Sequence, residues 1–207
     1  MDVYFVRHGR TDGNDAFRHQ HPHTTLNELG IIQAINIAKF LKRQRPTHLI
    51  TSTYLRSIET ARVISNECDL IPETHPAFEE LHRPEFLVGE RIFGKVTITY
   101  LLRWFFGMKS ASMHDGETYA DFTRRLAEAR RHLESLPENS RVVVVSHAVF
   151  INFFLEHMCR PQEMSLWRAG IRIIKILLIR NTGIVHVRFS PAKAKKGCGW
   201  RVIHGTK

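Results

Sequence analysis

The sequence predicts an α/β fold, a three-layer α/β/α sandwich with a mostly parallel central sheet, an antiparallel edge and a helical lid insertion. Three observations carry this reading. Short β-branched and aromatic runs alternate with amphipathic helical stretches up to about residue 157, the pattern of successive βα units. One run, Val142 to Val145, is four consecutive valines, which suits a strand buried on both faces inside a parallel sheet. The stretch from residue 171 onward places β-branched and alternating runs on either side of a turn, which suits an antiparallel edge. The 207 residues fit one domain spanning 1–207, with the lid at about 81–116 and a basic edge at about 171–207.

Val3 to Val6 reads as the first buried strand, and it ends in Arg7, His8 and Gly9. Ligands of open α/β sheets bind just beyond the carboxyl ends of strands. Gly9 lets the backbone approach a ligand, and Arg7 offers a planar fork suited to phosphate oxygens. Residues 15–25 are polar and contain His19, His21 and His23, which share one side of an extended chain. No carboxylate or Cys joins them at ligand spacing, so they read as a substrate-rim or exposed loop rather than a metal site.

Asn27 caps a helix running to about Arg43, and Thr25-x-x-Glu28 also fits a capping box. Its apolar stripe is Ile31, Ile35, Ala38 and Leu41, and Pro46 closes the segment. Thr47 to Thr51 forms the second strand, and Ser52 to Arg56 leads into a helix through Thr60, Ala61 and Ile64. Arg56 therefore lies just past a second strand end. Residues 78–90 hold several acids, one of which could protonate a leaving alkoxide.

Val96 to Met108 is strongly apolar but too short to span a bilayer. It reads as a helix packed on the core or lidding the site, ahead of an exposed aromatic face for a membrane surface or partner. A long helix opens at Gly116-Glu117-Thr118 and ends at Pro137, with the stripe Phe122, Leu126, Ala129, Leu133 and Leu136. Arg124, Arg125, Arg130 and Arg131 read as its solvated face, two of them paired with Asp121 and Glu128. The valine strand, from Arg141 to Ser146, ends in His147 and is followed by a helix over 148–157. Ile171 to Ile179, Ile184 to Phe189 and Trp200 to Ile203 read as edge strands, with a turn at Asn181-Thr182-Gly183 and a loop at 193–197.

The net charge of +10 is local: residues 160–207 hold 11 Lys and Arg against one acid, and the rest is balanced. Charge on edge strands discourages aggregation, which explains most of it. There is no nucleic-acid motif, so no specific nucleic acid is expected, and the basic region implies at most weak contact with an anionic surface. Cys68, Cys159 and Cys198 are odd in number and far apart, and read as reduced thiols rather than a disulfide or zinc framework. No charged-then-apolar leader precedes the first strand, so a cytoplasmic location is expected.

Arg7-His8-Gly9 after an N-terminal strand, with Thr11 and Asn14 following, resembles the histidine phosphatase (phosphoglycerate mutase-like) superfamily. Ser52 with Leu55-Arg56 and Thr60-Ala61 looks like that family's second block. Gly116-Glu117-Thr118 resembles another, and Ser146-His147 the remaining signature. The blocks occur in the expected order over most of residues 1–189. The resemblance implies that His8 is the nucleophile, that His147 stabilises the transferring group, and that Arg7 and Arg56 clamp the phosphoryl oxygens. Thr11 and Asn14 would orient phosphate or His8. Phe78-x-Glu80 fits the family's pattern of an apolar residue, any residue, then the acid. That selects Glu80 over Glu79 to protonate the leaving oxygen and then activate water. No metal or other cofactor is required.

The expected activity is metal-independent hydrolysis of phosphate monoesters of small metabolites through a phosphohistidine on His8. The alternatives are mutase-type phosphoryl transfer and a non-catalytic protein binding anionic partners on the same fold. A chain shorter than typical mutases, and a region after Glu80 that departs from theirs, favour hydrolysis. The partner is a small phosphorylated substrate whose remaining portion is read by loops at 15–25 and 81–116. No spacing in the chain specifies that portion or the oligomeric state.

Overall fold

The computed structural model describes residues 1–106, 115–159 and 179–204. Within them the sheet consists of β1 (Asp2–Arg7), β2 (His48–Thr51), β3 (Pro72–Thr74), β4 (Arg141–Ser146), β5 (Ile184–Phe189) and β6 (Trp200–His204). The order across it is β3-β2-β4-β1-β5-β6. β3, β2, β4 and β1 run parallel to one another, and β5 and β6 are antiparallel to their neighbours. The helices are α1 (Asp12–Asp15), α2 (Glu28–Arg43), α3 (Leu55–Cys68), α4 (Lys95–Phe106), α5 (Tyr119–Glu134), α6 (Ala148–His157) and α7 (Pro191–Ala194). The expected strand over 171–179 lies, apart from Ile179, outside the described residues, as does the end of the apolar stretch past Phe106.

Alternation along the strands builds the three layers. Val3, Phe5, Val142, Val144, Val185 and Val187 face one side, where they meet Tyr100 and Trp104 of α4, Phe122 and Leu126 of α5, and Phe150 and Phe154 of α6. Tyr4, Val6, Leu49, Val143 and Val145 face the other, against Ala38 and Leu41 of α2 and Ala61 and Ile64 of α3. All four consecutive valines are fully buried, each stabilising the fold by about 1.5–3 kcal/mol.

Three expectations about surfaces are corrected. The buried face of α2 is Gly30, Ala34, Ala38 and Leu41, whereas Ile31 and Ile35 are 47% and 42% exposed. The helix is rotated because Gly30 packs backbone to backbone on the loop after β1. A Cβ on Gly9 would lie 2.5 Å from the Gly30 carbonyl oxygen, and one on Gly30 would lie 2.1 Å from that of Arg10. The close approach that requires Gly9 is thus to α2. Second, Arg125 is not solvated: its side chain is 11% exposed and pairs with Glu117, itself 7% exposed, at 2.7 Å. Of the expected surface pairs, Arg124 meets Asp121 at 2.9 Å.

Third, Cys159 and Cys198 form a disulfide, with Cα atoms 5.1 Å apart across a separation of 39 residues. The sequence spacing hid this because β6 folds back beside β5 and carries Cys198 to the end of α6. Cys68 is the free thiol.

Helix α4 packs on the core through its aromatic residues, and its exposed side among the described residues is aliphatic, not the aromatic face expected as the alternative. Tyr100 and Trp104 are buried, and Val96, Ile98 and Leu102 are exposed on its outer side. It is tied to the 15–25 loop through His19 Nε2 and Thr97 Oγ1, 3.0 Å apart, and the turn before it is tied there by a bridge between Arg18 and Arg91. No helix among the described residues is long and apolar enough to cross a membrane.

Candidate active site

Parallel pairing in register brings the strand ends together. Arg7 pairs with Ser146, so the next residues, His8 and His147, emerge side by side with ring centroids 5.2 Å apart. The His8 N–H bonds the Ser146 carbonyl at 3.0 Å. Thr51, at the end of β2, pairs with Val145, which places Ser52 and the start of α3 on the other side of His147. Arg56, in the first turn of α3, then reaches His8.

The hydrogen bonds assign the His8 tautomer. Its Nδ1 faces the Gly9 carbonyl oxygen at 2.7 Å, an acceptor only, so Nδ1 carries the proton. Its Nε2 accepts from Arg56 Nε–H at 3.2 Å. Burial, with Arg56 and Arg7 adding to it, holds the His8 imidazole well below the usual range, so Nε2 is a neutral lone pair. The same causes, burial first and then Arg56, act on His147. Its Nε2 lies 2.7 Å from Ser52 Oγ and 3.3 Å from Ser57 Oγ. With the Ser52 O–H donating to Nε2, the His147 proton sits on Nδ1. That Nδ1 is buried with no hydrogen-bond partner among the described residues, as is Arg7 Nε.

Arg7 Nη1 donates to the Ile179 carbonyl at 2.6 Å. Arg56 Nη1 donates to the His21 carbonyl at 3.1 Å, and its guanidinium lies 4.9 Å above the Tyr54 ring. Burial lowers Arg56 to about 10, which leaves it charged at neutral pH. These groups form a concave set of donors beside one nucleophilic lone pair, an arrangement suited to binding a tetrahedral dianion and attacking it.

Glu80 is buried behind them. Helix α6 begins after His147, whose side chain provides no cap, and Glu80 takes that place. Its Oε1 accepts from Leu81 and Phe150 N–H, each at 3.0 Å, and its Oε2 from Val149 N–H at 3.2 Å. These contacts satisfy free N–H groups at the helix start. Glu79 faces Thr53, and its Oε2 lies 2.6 Å from His82 Nε2. Burial raises its carboxyl, but the hydrogen bonds from His82 and Thr53 outweigh that and lower it.

Thr11 and Asn14 are engaged with each other in the capping box of α1. Asn181, which the sequence reading passed over as a turn residue, connects them to the nucleophile. Its Nδ2 donates to Asn14 Oδ1 at 3.0 Å and to the His8 and Gly9 carbonyls at 3.2 and 3.3 Å. Arg125 was also missed. It donates to the Glu79 carbonyl at 2.6 Å and the Glu80 carbonyl at 3.0 Å, which fixes the acid-bearing loop. Its place one turn from Phe122 and Ala129, at the border of the buried stripe, was the available signal. Asn181 had none.

His19, His21 and His23 do not converge on a common point. His19 bonds Thr97, and the His21 and His23 rings are tilted against each other with centroids 4.9 Å apart. One set of metal-ligand type occurs among the described residues: Glu73, His75 and His132, with donor atoms within 4.8 Å of one another. His75 Nδ1 is already spent accepting the Ala77 N–H at 3.1 Å.

This sheet, with a histidine at two adjacent strand ends and arginines around them, defines the class as α/β with a cationic site at the strand ends. Residues 3–195 match the histidine phosphatase superfamily (branch 1), and the chain belongs to that family. The probable phosphoglycerate mutase GpmB of Yersinia pestis (strain Pestoides F) is 31% identical over 164 residues, 75% of this chain and 73% of that protein. The fold is shared with a mycobacterial glucosyl-3-phosphoglycerate phosphatase in complex with VO3 (TM-score 0.76, 21% identity, 99% and 98% of the two chains). It is shared equally with an Entamoeba histolytica phosphoserine phosphatase mutant in complex with phosphoserine (TM-score 0.75, 20% identity, 100% and 96%).

Proposed function

We propose that the chain is a phosphatase that hydrolyses phosphate monoesters through a covalent phosphohistidine on His8. The observation that carries this is the state of His8: a buried neutral imidazole whose Nε2 lone pair meets the Arg56 Nε–H. A phosphoryl group entering here takes over the Arg56 donor and accepts from Arg7 Nε and His147 Nδ1, satisfying both buried donors.

His8 Nε2 then attacks phosphorus in line, forming the P–N bond as the P–O bond to the alcohol breaks. Glu80, in its acid form, gives its proton to the departing alkoxide. Oε2, with the longer of its backbone contacts, is the oxygen left to carry that proton. Water next attacks the phosphohistidine, Glu80 accepts its proton, and inorganic phosphate leaves with His8 neutral again. Arg7 and Arg56 supply the positive charge and His147 a neutral donor, so no step requires a metal.

Hydrolysis of p-nitrophenyl phosphate in excess EDTA, compared between wild type and His8→Ala, tests the proposal. Activity that survives chelation and falls at least about a thousandfold in the variant supports it, and activity retained in His8→Ala overturns it. The likeness to the relative named a probable phosphoglycerate mutase favours a second reading, in which the phosphoryl group returns to a reoriented substrate. With a phosphate ester that carries a second hydroxyl, phosphate release without any isomerised ester rules that reading out.

A further inference from the structure

At the edge of the sheet, away from the phosphate clamp, three side chains of metal-ligand type converge. Glu73 lies in β3, His75 follows the end of that strand, and His132 comes from the last turn of α5. One donor atom from each lies within 4.8 Å of the other two. The two imidazoles meet with centroids 4.5 Å apart and planes inclined by 51°.

Hydrogen bonding does not account for the cluster. His132 Nε2 lies 3.2 Å from Glu73 Oε1, yet this buried nitrogen has no aligned hydrogen-bond partner among the described residues. Zinc holds imidazole nitrogen and carboxylate oxygen at about 2.0–2.2 Å, and two such ligands at a tetrahedral angle are about 3.3 Å apart. The nitrogen of His132 and the oxygen of Glu73 thus already have the separation of two ligands on one ion.

His75 has to give up a bond to join them. Its Nδ1 accepts from the Ala77 N–H at 3.1 Å, and a neutral imidazole has one lone pair, so either ring nitrogen binds an ion only when that bond opens. A side-chain cap of this kind is worth about fivefold in an equilibrium constant. Groups that merely orient a metal ligand are worth about 10- to 100-fold, so the ligand bond outweighs the cap.

The surroundings hold the cluster in place. The His75 N–H donates to the Thr51 carbonyl at 2.9 Å. The buried Phe78 ring stands edge-on to both imidazoles, with centroids 5.6 Å from His75 and 6.0 Å from His132. β3 lies two strands from β4, which ends at His147, a spacing of about 10 Å. An ion at this edge takes no part in the phosphoryl chemistry.

We propose that Glu73, His75 and His132 bind a divalent transition ion of the zinc type. Two imidazoles and one carboxylate suit zinc, copper or nickel, whereas magnesium and calcium take oxygen donors. The ion joins the end of β3, and the turn after it, to the last turn of α5. Arg125, two turns earlier on α5, already holds the Glu79 and Glu80 carbonyls. With the ion bound, the segment that delivers Glu80 is gripped by α5 at both ends.

The test is calorimetric titration of zinc chloride into the full chain after treatment with EDTA and dialysis. The wild type should bind one ion at this site, Glu73→Gln at least about 10-fold more weakly and His132→Ala at least about 100-fold more weakly. Glu73→Gln keeps the shape of a half-exposed side chain, and circular-dichroism melts in EDTA check that both variants fold. Zinc binding of equal affinity in all three proteins overturns the site, as does no binding by the wild type at about 1 mM zinc. Neither result bears on hydrolysis in excess EDTA, so the metal site and the phosphatase reading fail or stand separately.

Discussion

Replacing Arg125 with Met tests whether the acid-bearing loop is held from behind. Arg125 bonds both oxygens of Glu117, Nε to Oε1 at 2.9 Å and Nη2 to Oε2 at 2.7 Å. It also donates to the carbonyls of Glu79 and Glu80. Its removal leaves Glu117 with a single backbone donor from His82 in a site where neither side chain exceeds 11% exposure. Breaking a buried pair from one side costs about 3–5 kcal/mol. A domain of this size typically has about 5–15 kcal/mol in total, so the variant folds with a lower urea midpoint. The chemistry suffers selectively. Glu80 loses the support of its own carbonyl, and a misplacement of about 1 Å costs about a hundredfold. An alkyl phosphate, whose alkoxide needs the proton, loses that much in kcat. p-Nitrophenyl phosphate, whose leaving group needs little help, loses far less. Stopped-flow kinetics on both esters and urea denaturation read the two effects. An equal loss on both esters, or an unchanged midpoint, would refute the positioning role.

Two further outcomes follow from the same structure. Burial holds His8 and His147 well below the ordinary histidine value of about 6.5, so the unfolded chain binds more protons than the folded one below that value. Their contribution is therefore complete above about pH 6.5 and is lost as pH falls, at no more than about 1.4 kcal/mol per pH unit for each. Urea midpoints measured downward from pH 7.5 should decrease, and a midpoint that rises towards acid would contradict the neutral assignment of both rings. The Cys159–Cys198 disulfide closes a separation of 39 residues, which in the chain-entropy picture is worth about 4 kcal/mol. Dithiothreitol should lower the melting temperature of the wild type and not that of Cys198→Ser. Thiol titration of unreduced, denatured protein should find one thiol, Cys68, and three would disprove the bond.

The strand ends were legible because their chemistry is local. An apolar run that stops at Arg7-His8, at Ser52 ahead of Arg56, or at His147 carries both its burial and its reactive group in consecutive residues. Features that depend on how separate segments meet were not. The period of α2 was visible, but its phase is set by Gly30 packing on the Gly9 loop, a contact between distant backbones. Arg125 has the composition of a surface residue and becomes buried only because Glu117 and the Glu79–Glu80 carbonyls converge on it. Cys159 and Cys198 meet through the return of β6. Glu80 was separable from Glu79 by pattern, and the structure adds what the pattern lacked, its seat at the start of α6.

The central claim is a phosphoryl group carried on His8 Nε2, and trapping that intermediate tests it most directly. Wild-type protein mixed with a radiolabelled phosphate monoester and quenched in alkali within milliseconds should retain label that is stable to base and lost in acid, as a phosphohistidine is. Peptide mass spectrometry should place it on the segment containing His8, and His8→Ala should carry none. Label on any other residue, or turnover with no label retained at any quench time, would contradict the account.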